Sequence, residues 1–326
     1  MSVVTPVYNG GKYLRECIES VIAQTYPNWR YTIVNNCSTD DTLAIAREYE
    51  RRDPRIRVHD NTDFLPIIDN HNRAVSLIDA ESVYCKPLMA DDWLYPECVE
   101  VMAACALAQP SIGLVCCCGR AGDGSILFDR LPRSQSSTTL LAGSTAGRMS
   151  FLEDRHFFGS PTTTLIRADL IRKRDRLYDP ANVHADPEMC YDILRESDFG
   201  FVHTALVYIR DHEESQTSNL RGLESIRAGR FYTLVKYGRA YLSGEEFERR
   251  YSEKQRDYYA MLAVGAVELR GRKFWEFHRR MLDAAGAPLV QGRLVRAVAS
   301  HVARKLISPA SLMRSIANRV SALFKK

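Results

Sequence analysis

Apolar and polar positions follow two alternating patterns over about the first 120 residues of the chain. Short, almost wholly apolar runs, of which SVVTPV is the first, are typical of strands buried on both faces of a parallel sheet. Between these runs, apolar residues recur every three to four positions, which predicts amphipathic helices. We therefore expect strands and helices to alternate and to build a parallel sheet with right-handed crossovers.

The pattern predicts five strands in this half of the chain, together with the helices that connect them. The predicted strands are SVVTPV, RYTIV, IRVHD, SVYCKPLM and IGLVCCC. The predicted helices are KYLRECIESVIAQ, TLAIAREYERR, LPIIDNHNRAVSLID after Pro66, and ECVEVMAACALA with Pro96 in its first turn. Ser38 and Asp41 have the spacing of a capping box for the second helix.

The alternation loosens after about residue 120. GRAGDGSILFD predicts a hairpin because Asp-Gly is a strong turn signal, RSQSSTT a loop, SPTTTLI a β-rich run, PEMCYDILRES a helix and FGFVHTALVYI a strand. From about Arg221 onward only helices are predicted. We expect an α/β domain over residues 1–218, a helical extension over 219–290 and a basic amphipathic tail over 291–326.

Composition and cysteine usage are those of a folded protein without a membrane span. Of the 326 residues, 45% are hydrophobic and 26% charged, and no apolar run reaches the roughly 18 residues that cross a bilayer. The N-terminus has no basic region before an apolar stretch, so we expect no signal peptide. Cys116, Cys117 and Cys118 alternate between the faces of a predicted strand and match no zinc pattern. We therefore expect buried, reduced thiols and a cytoplasmic protein.

The charge is unevenly distributed along the chain. Residues 284–326 contain eight Lys or Arg and no Asp or Glu, whereas residues 1–283 contain 36 basic and 40 acidic residues. Apolar residues recur every four positions in the tail: Leu294, Val298, Val302, Leu306, and then Leu312, Ile316 and Val320. Two basic amphipathic helices of this kind suit the surface of an anionic membrane. Packing on the protein or on a partner chain is the alternative, and missing recognition motifs disfavour nucleic acid.

Polar residues follow three of the predicted strands, at the sheet edge where open α/β folds bind ligands. Tyr8 and Asn9 follow the first strand, NNCSTDD the second, and Asp91 with Asp92 the fourth. Adjacent carboxylates repel each other, and a divalent cation held together with substrate phosphates would resolve the repulsion. A solvated Asp-Asp turn before a helix is the alternative.

The segments TPVYNGGKYLRECIESVIAQTYPNW, YTIVNNCSTDDT and YCKPLMADD resemble, in order and spacing, the nucleotide-sugar-binding half of the family 2 glycosyltransferases. The resemblance covers roughly residues 2–215. It implies the GT-A fold, a Rossmann-like α/β architecture with a mostly parallel sheet flanked by helices. It also implies an inverting enzyme that moves a sugar from a nucleotide diphosphate sugar to a hydroxyl of a glycan or lipid-linked acceptor. The family context is bacterial polysaccharide assembly, with the basic tail at the inner face of the cytoplasmic membrane.

The resemblance assigns a donor site. The residues expected to bind the nucleotide sugar are Thr5, Pro6, Tyr8, Asn9, Asn36, Ser38, Asn72, Lys86 and Asp91, with Arg73 nearby. Many relatives carry two aspartates where this chain has Asn35 and Asn36. Because an amide both donates and accepts hydrogen bonds, Asn36 is compatible with accepting from a pyrimidine N3–H. A simple turn formed by the two asparagines is the alternative.

The resemblance also assigns a metal and a base. Asp92 would bind Mn²⁺ or Mg²⁺ bridging the diphosphate, with His212 as a further ligand, and the metal would neutralise charge on the leaving group. Inverting transfer needs a general base, and Asp186 in NVHADPEMCYDIL has the family's position before a helix. A helix N-cap is its alternative role, and Glu188 is the second candidate base. Arg210 is an alternative contact for the diphosphate.

Two other classes of protein were weighed. A nucleotidyltransferase also uses strand-end carboxylates and a metal, but the turn YNGGKYL lacks the Arg- and Lys-bearing phosphate loop of that class. A catalytically inactive glycan-binding or scaffold protein of the same fold would not need Asp91, Asp92 and Asp186.

Overall fold

The computed structural model describes residues 1–132, 136–155, 157–211, 220 and 222–307. The chain divides into two units, Met1–Arg221 and Gly222–Lys326, close to the boundary predicted after residue 218. The first unit mixes strands and helices, and the described part of the second unit is helical.

The first unit contains one sheet and the helices that flank it. Its strands are β1 (Ser2–Val7), β2 (Arg30–Asn35), β3 (Ile56–Asp60), β4 (Tyr84–Pro87), β5 (Trp93–Leu94), β6 (Ile112–Arg120), β7 (Ile126–Leu127), β8 (Thr138–Leu141), β9 (Thr164–Arg167) and β10 (Asp198–Tyr208). Its helices are α1 (Gly11–Ile22), α2 (Thr42–Arg52), α3 (Ile67–Ser76), α4 (Cys98–Leu107), α5 (Gly143–Glu153), α6 (Ala168–Arg172) and α7 (Ala185–Ile193), with a 3₁₀ turn at Pro161–Thr163.

The strands lie in the order β3-β2-β1-β4-β9-β6-β10-β5, with β7 beside β6 and β8 beside β10. Strands β1 to β4 run parallel, as the alternation of strands and helices predicts. Strand β9 differs, because it runs antiparallel between β4 and β6. Strand β9 is only four residues long and is mostly buried. Its apolar pattern therefore predicts a strand, but it does not predict the direction of the strand or its neighbours in the sheet.

The apolar face predicted for the first helix is buried in the core, as expected. Leu14, Ile18 and Val21 of α1 are fully buried and belong to a cluster that also contains residues of α2, α4 and the central strands. The predicted hairpin after residue 120 is confirmed by the antiparallel pairing of β6 with β7. The three successive cysteines at 116–118 are buried on β6, as the sequence predicts.

One predicted helix cap and two predicted helix starts differ from the structure, although helix α2 itself begins at Thr42 as predicted. Helix α2 follows Asp41 without a side-chain cap, and the Ser38 hydroxyl accepts instead from the backbone N–H of Asn9, so the predicted capping box is not formed. Helix α4 begins at Cys98, and Pro96 lies before it. Helix α7 follows His184, which places Asp186 inside the first turn and not at the N-cap. At helix α2, the Ser38 hydroxyl was predicted to cap the helix. It instead bonds the turn after β1 to the loop after β2.

The described part of the second unit contains four helices, α8 (Ser225–Tyr241), α9 (Gly244–Val267), α10 (Arg272–Ala284) and α11 (Gln291–Ile307). Helix α9 begins with a capping box between Ser243 and Glu246. Helix α11, the first helix predicted in the tail, packs along α9, and the backbone N–H of Val290 donates to the Tyr259 hydroxyl at 2.8 Å. The second predicted tail helix lies outside the described residues. No helix within the described ranges is long and apolar enough to span a membrane.

Candidate functional site

Parallel register brings the ends of three strands together. Val7 of β1 pairs with Asn35 of β2, and Asn35 pairs with Asp60 of β3, so the chain leaves all three strands at one edge. The segments that follow, residues 8–10, 36–41 and 61–66, are therefore neighbours. This edge is where open α/β sheets bind their ligands.

The turn after β1 is tied to the loop after β2. Asn9 adopts a left-handed conformation with φ of 49°, which Asn tolerates better than most residues. Its backbone N–H donates to the Ser38 hydroxyl at 2.9 Å, and its Oδ1 accepts from the backbone N–H of Thr39 at 2.8 Å. The backbone N–H of Gly11 donates to Asp40 Oδ2 at 3.0 Å. Asn9 and Ser38 thus join the turn after β1 to the loop after β2 and fix the shape of this edge.

The Asn36 amide holds the loop after β3. Its Oδ1 accepts from the backbone N–H of Leu65 at 2.9 Å and from Asn61 Nδ2 at 3.0 Å, and its Nδ2 donates to the carbonyl of Leu65 at 2.8 Å. An amide oxygen has two lone pairs, so both are already used. In this arrangement Asn36 has no acceptor for a pyrimidine N3–H, and it positions the loop that carries Phe64.

Two aromatic rings stand exposed at this edge. Tyr8 is 50% exposed and Phe64 is 57% exposed, and the two rings meet edge to face with centroids 5.0 Å apart. Thr5, by contrast, is fully buried, with its hydroxyl 2.8 Å from that of Tyr31, and Pro6 is also buried. Of the three residues predicted to line a base pocket, Tyr8 therefore offers an open side chain. The sequence analysis missed Phe64, whose signal is a single aromatic residue in the polar segment HDNTDF.

Asp92 is a buried carboxylate at the end of the fourth predicted strand. It is 4% exposed, its Oδ2 accepts from the Thr162 hydroxyl at 2.6 Å, and its Oδ1 accepts from the backbone N–H of Arg210 at 3.0 Å. Burial, and then the charge of the adjacent Asp91, raise the pKa of Asp92 to about 7. The ammonium group of Lys86 is fully buried and donates to the carbonyls of Thr162 and Pro87. Lys86 thus supports the segment that holds Asp92.

Arg210 fixes the backbone beside this pair. Its Nε donates to the carbonyl of Asp91 at 2.9 Å, its guanidinium pairs with Glu16, and it lies 4.5 Å from the ring centroid of Tyr13. These contacts occupy much of the Arg210 guanidinium group, which the sequence analysis offered as an alternative contact for the diphosphate. His212, the predicted further metal ligand, lies outside the described residues.

The Asp91–Asp92 pair fits a hard divalent cation as a partial ligand set. Carboxylate oxygens suit Mn²⁺ and Mg²⁺, and each oxygen of Asp92 keeps one lone pair beyond its hydrogen bond. The pKa of Asp92 is raised first by burial and then by the charge of Asp91, and a bound cation would favour the charged carboxylate against both. Within the described ranges, no group of three or more His, Cys, Asp or Glu could hold a metal ion, so substrate and water oxygens would complete the set.

Asp186 is a partly buried carboxylate in the first turn of α7. Among the residues that the structure describes, it has no hydrogen-bond or ion-pair partner, and burial raises its pKa to about 7. Glu188, two residues on, is 2% exposed, and its Oε2 accepts from Asn182 Nδ2 at 3.0 Å. Asp186 is thus the better placed of the two carboxylates to take a proton from a ligand.

Asn72 links α3 to the segment before α7. Its Oδ1 accepts from the backbone N–H groups of Leu177 at 3.0 Å and Tyr178 at 2.9 Å, and its Nδ2 donates to the carbonyl of Tyr178 at 2.7 Å. These three bonds occupy the amide that was expected to contact the donor. Arg73, the next residue, lines an open cavity of about 430 Å³ beside the 61–65 loop.

The rings of His71 and Tyr178 meet edge to face, with centroids 5.9 Å apart. Burial lowers the pKa of His71 to about 4 while the charge of Asp91 opposes it, and burial followed by the charge of Asp186 raises the pKa of Tyr178. Asp91 therefore lies near His71, and Asp186 lies near Tyr178. In the described part of the chain, neither His71 Nδ1 nor the Tyr178 hydroxyl has a hydrogen-bond partner. No sequence pattern marks either ring, because both are brought here by tertiary contacts.

Comparison with known proteins identifies the family. The model of the family Glycosyl transferase family 2 matches residues 2–175, more than half of the chain. TuaG of Bacillus subtilis, a glycosyltransferase named for teichuronic acid biosynthesis, is 30% identical over 171 residues, which cover 49% of this chain and 64% of TuaG. The chain belongs to the family 2 glycosyltransferases. The matched segments span about three-fifths of the length of the curated relatives.

Solved structures share the fold. A fragment of S. aureus TarS in complex with UDP-GlcNAc matches with a TM-score of 0.62 and 17% identity, covering 91% of this chain and 81% of the TarS fragment. The mannosyltransferase PcManGT from Pyrobaculum calidifontis, in complex with GDP-Man and Mn²⁺, matches with a TM-score of 0.52 and 17% identity, covering 100% of this chain and 87% of PcManGT. At these identities the likeness shows the fold alone, which is the GT-A fold predicted from the sequence.

Replacing Asp186 by Asn is expected to stabilise the folded protein at about pH 8 and to change its stability little at about pH 4. Between the unfolded-state pKa of about 3.9 and the folded-state value of about 7, native wild type holds a proton that the unfolded chain has lost. Its free energy of unfolding therefore falls with rising pH by up to about 1.4 kcal/mol per unit through this one group, whereas Asn does not titrate. Urea unfolding of both proteins across this pH range measures the difference.

Asp192→Asn is the matched control on the same helix. Its Oδ2 accepts from Arg174 Nε at 2.6 Å, so this variant should be less stable than wild type at about pH 8. If the free energy of unfolding of Asp186→Asn at about pH 8 is no higher than that of wild type, the claim that the Asp186 carboxylate is desolvated and unpaired is wrong.

Proposed function

We propose that the protein is an inverting, metal-assisted glycosyltransferase that moves a sugar from a nucleotide diphosphate sugar to a hydroxyl of a glycan or lipid-linked acceptor. The observation that carries the proposal is Asp186, a carboxylate without a protein partner in the described residues, whose pKa is raised to about 7. A general base works best when its pKa lies near the working pH. Because the chain belongs to the family 2 glycosyltransferases, we propose that this base takes the proton of the acceptor hydroxyl during sugar transfer.

The reaction needs one proton transfer and one substitution at carbon. The acceptor oxygen attacks the anomeric carbon from the face opposite the diphosphate while its proton passes to the Asp186 carboxylate. The bond between the anomeric carbon and the diphosphate oxygen breaks, and the electron pair leaves with the diphosphate. Asp91 and Asp186 lie near opposite partners of the His71–Tyr178 pair, so this pair is the proposed floor beneath the transferred sugar.

Donor binding is proposed at the edge formed by β1, β2 and β3. Tyr8 and Phe64 would enclose the base between exposed rings, and Asp91 would contact the ribose or the metal-bound water. The contacts of Asn9, Asn36 and Ser38 support a role in shaping this edge. Asn72 and Lys86 would hold the segments near Tyr178 and Asp92, and Thr5 and Pro6 would act from within β1. The nucleotide sugars in the TarS and PcManGT structures support this placement by analogy of fold.

Asp92 would hold Mn²⁺ or Mg²⁺, with His212 as a proposed further ligand and Asp91 beside the metal-bound water. When bound, the ion would act as a Lewis acid that neutralises charge on the leaving diphosphate. The Mn²⁺ of PcManGT supports this choice of ion by analogy of fold.

The proposed setting is polysaccharide biosynthesis at the inner face of the cytoplasmic membrane. TuaG, with its teichuronic acid name, supports a polysaccharide product. Attachment to an anionic bilayer is proposed through the C-terminal tail, which has eight basic and no acidic residues from 284 onward. Each Lys or Arg close to an anionic surface contributes about 1 kcal/mol.

Asp186→Asn is expected to slow transfer by about 10²–10⁴-fold while leaving donor affinity unchanged, because the variant removes the proton acceptor and keeps the side chain's shape. A panel of sugar nucleotides with Mn²⁺ first identifies the donor, and single-turnover transfer and donor titration then separate chemistry from binding. Glu188→Gln is the matched control and should retain most of the activity. An inactive Glu188→Gln beside an active Asp186→Asn would reassign the base.

Asp92→Asn is expected to abolish the gain in donor affinity that Mn²⁺ produces. Because Asn keeps the size of the side chain but lacks the charge, the fold should persist while the cation loses a ligand. Thermal-shift titrations with nucleoside diphosphate, with and without Mn²⁺, measure the effect without requiring turnover. Asp123→Asn in the β6–β7 turn is the control. Equal metal dependence in wild type and Asp92→Asn would refute the assignment.

Deleting residues 308–326 is expected to weaken binding to anionic vesicles and to preserve transfer to a soluble acceptor. This truncation removes four of the eight tail charges and keeps α11, which packs on α9. Binding should also weaken with salt, because the Debye length is only about 8 Å at physiological ionic strength. Co-sedimentation across a salt series tests this. Full-length protein that stays in the supernatant at low salt would exclude membrane attachment.

A further inference from the structure

An open groove lies between α9 and α11 in the helical unit, with a volume of about 710 Å³. Four arginines line it: Arg256 of α9 and Arg293, Arg296 and Arg304 of α11. Asp257 is the one acidic residue among its lining residues. The three arginines of α11 share a face because their separations of three, eight and eleven residues return to within about 80° of one another around a helix.

Within the described residues, some arginines of this unit pair with carboxylates, and others, including the four groove arginines, do not. Arg239 pairs with Glu248 at 2.8 Å, Arg250 with Glu253 at 2.7 Å and Arg272 with Glu276 at 2.6 Å. Over the described ranges, none of the four groove arginines forms a salt bridge.

Their hydrogen bonds go to neutral groups. Arg293 Nη1 donates to Gln255 Oε1 at 2.5 Å, Arg296 Nε to the carbonyl of Gly292 at 3.2 Å, and Arg304 Nε to the carbonyl of Ser300 at 3.3 Å. Much of each planar donor fork therefore remains available, and such forks match the oxygens of a phosphate group.

The chain itself does not supply the missing negative charge from its tail. Residues 308–326 contain four basic and no acidic residues, so they would repel the groove. The same helix also exposes apolar side chains, with Val295 65% and Val302 40% exposed. Val295 and Val302 lie on a side of α11 away from Arg293 and Arg304, so they do not line the groove. Four guanidinium groups in one groove match the charged phosphate of an anionic lipid better than they match a neutral glycan.

We infer that the groove between α9 and α11 is a binding site for the phosphate group of an anionic phospholipid. The inference rests on the proposed membrane attachment and adds to it a defined headgroup site, distinct from the diffuse attraction of the basic tail. The phosphate lies among the four arginines. Attachment then depends on headgroup chemistry as well as on surface charge.

The test uses the full chain and two kinds of phosphatidylcholine vesicle, one containing phosphatidic acid and one containing phosphatidylserine at equal surface potential. Wild type is expected to prefer phosphatidic acid, whose phosphate is terminal. The double variant Arg256→Gln/Arg296→Gln should bind phosphatidic acid vesicles roughly tenfold more weakly and lose the preference. The control Arg279→Gln/Arg280→Gln makes the same charge change on α10 and should keep it.

Titration with soluble pyrophosphate separates the groove from the membrane proposal. Divalent cations are left out so that the proposed donor site is not engaged, and the groove variant should then bind pyrophosphate more weakly than wild type. Equal binding of both vesicles by wild type, or equal losses in groove and control variants, would overturn the headgroup site while leaving attachment through the tail intact. If wild type binds no vesicle but binds pyrophosphate, membrane attachment fails and so does the lipid assignment of the groove.

Discussion

The parallel register of β1, β2 and β3 is the constraint on which the candidate site depends. It ends the three strands side by side at Val7, Asn35 and Asp60, so the segments that follow must share one edge. Amide and hydroxyl side chains then join these segments, and Asn36 alone makes three hydrogen bonds to the 61–65 loop. The exposed rings of Tyr8 and Phe64 lie at the edge that these hydrogen bonds hold together.

Two carboxylates of the first unit, Asp92 and Asp186, lie where burial makes their negative charge unfavourable for folding. The pKa values of Asp92 and Asp186 are both raised to about 7 by burial, which at neutral pH costs on the order of 1–4 kcal/mol for each group. Exchange for a neutral residue would relieve this cost, so the carboxylates are best explained by a ligand. The proposed function assigns a cation to Asp92, and to Asp186 a proton taken from an acceptor hydroxyl.

Sequence periodicity predicted the strands β1 to β4, the helices between them and the polar edge, because burial on a sheet or helix face leaves a local pattern. It did not predict the antiparallel direction of β9 or the place of His71, Tyr178 and Phe64, which depend on contacts between distant segments. The roles of Asn36 and Asn72 changed for the same reason. Their amides have the hydrogen-bonding capacity that a ligand would use, and backbone groups brought near by the fold use it instead.

The stereochemistry of transfer tests the central claim most directly. With the donor identified, NMR of the first-formed product reports the configuration at the anomeric carbon before it can equilibrate. A single displacement assisted by a general base predicts a product whose configuration is opposite to that of the donor sugar. A product that keeps the donor's configuration would contradict both the inverting reaction and the role of Asp186.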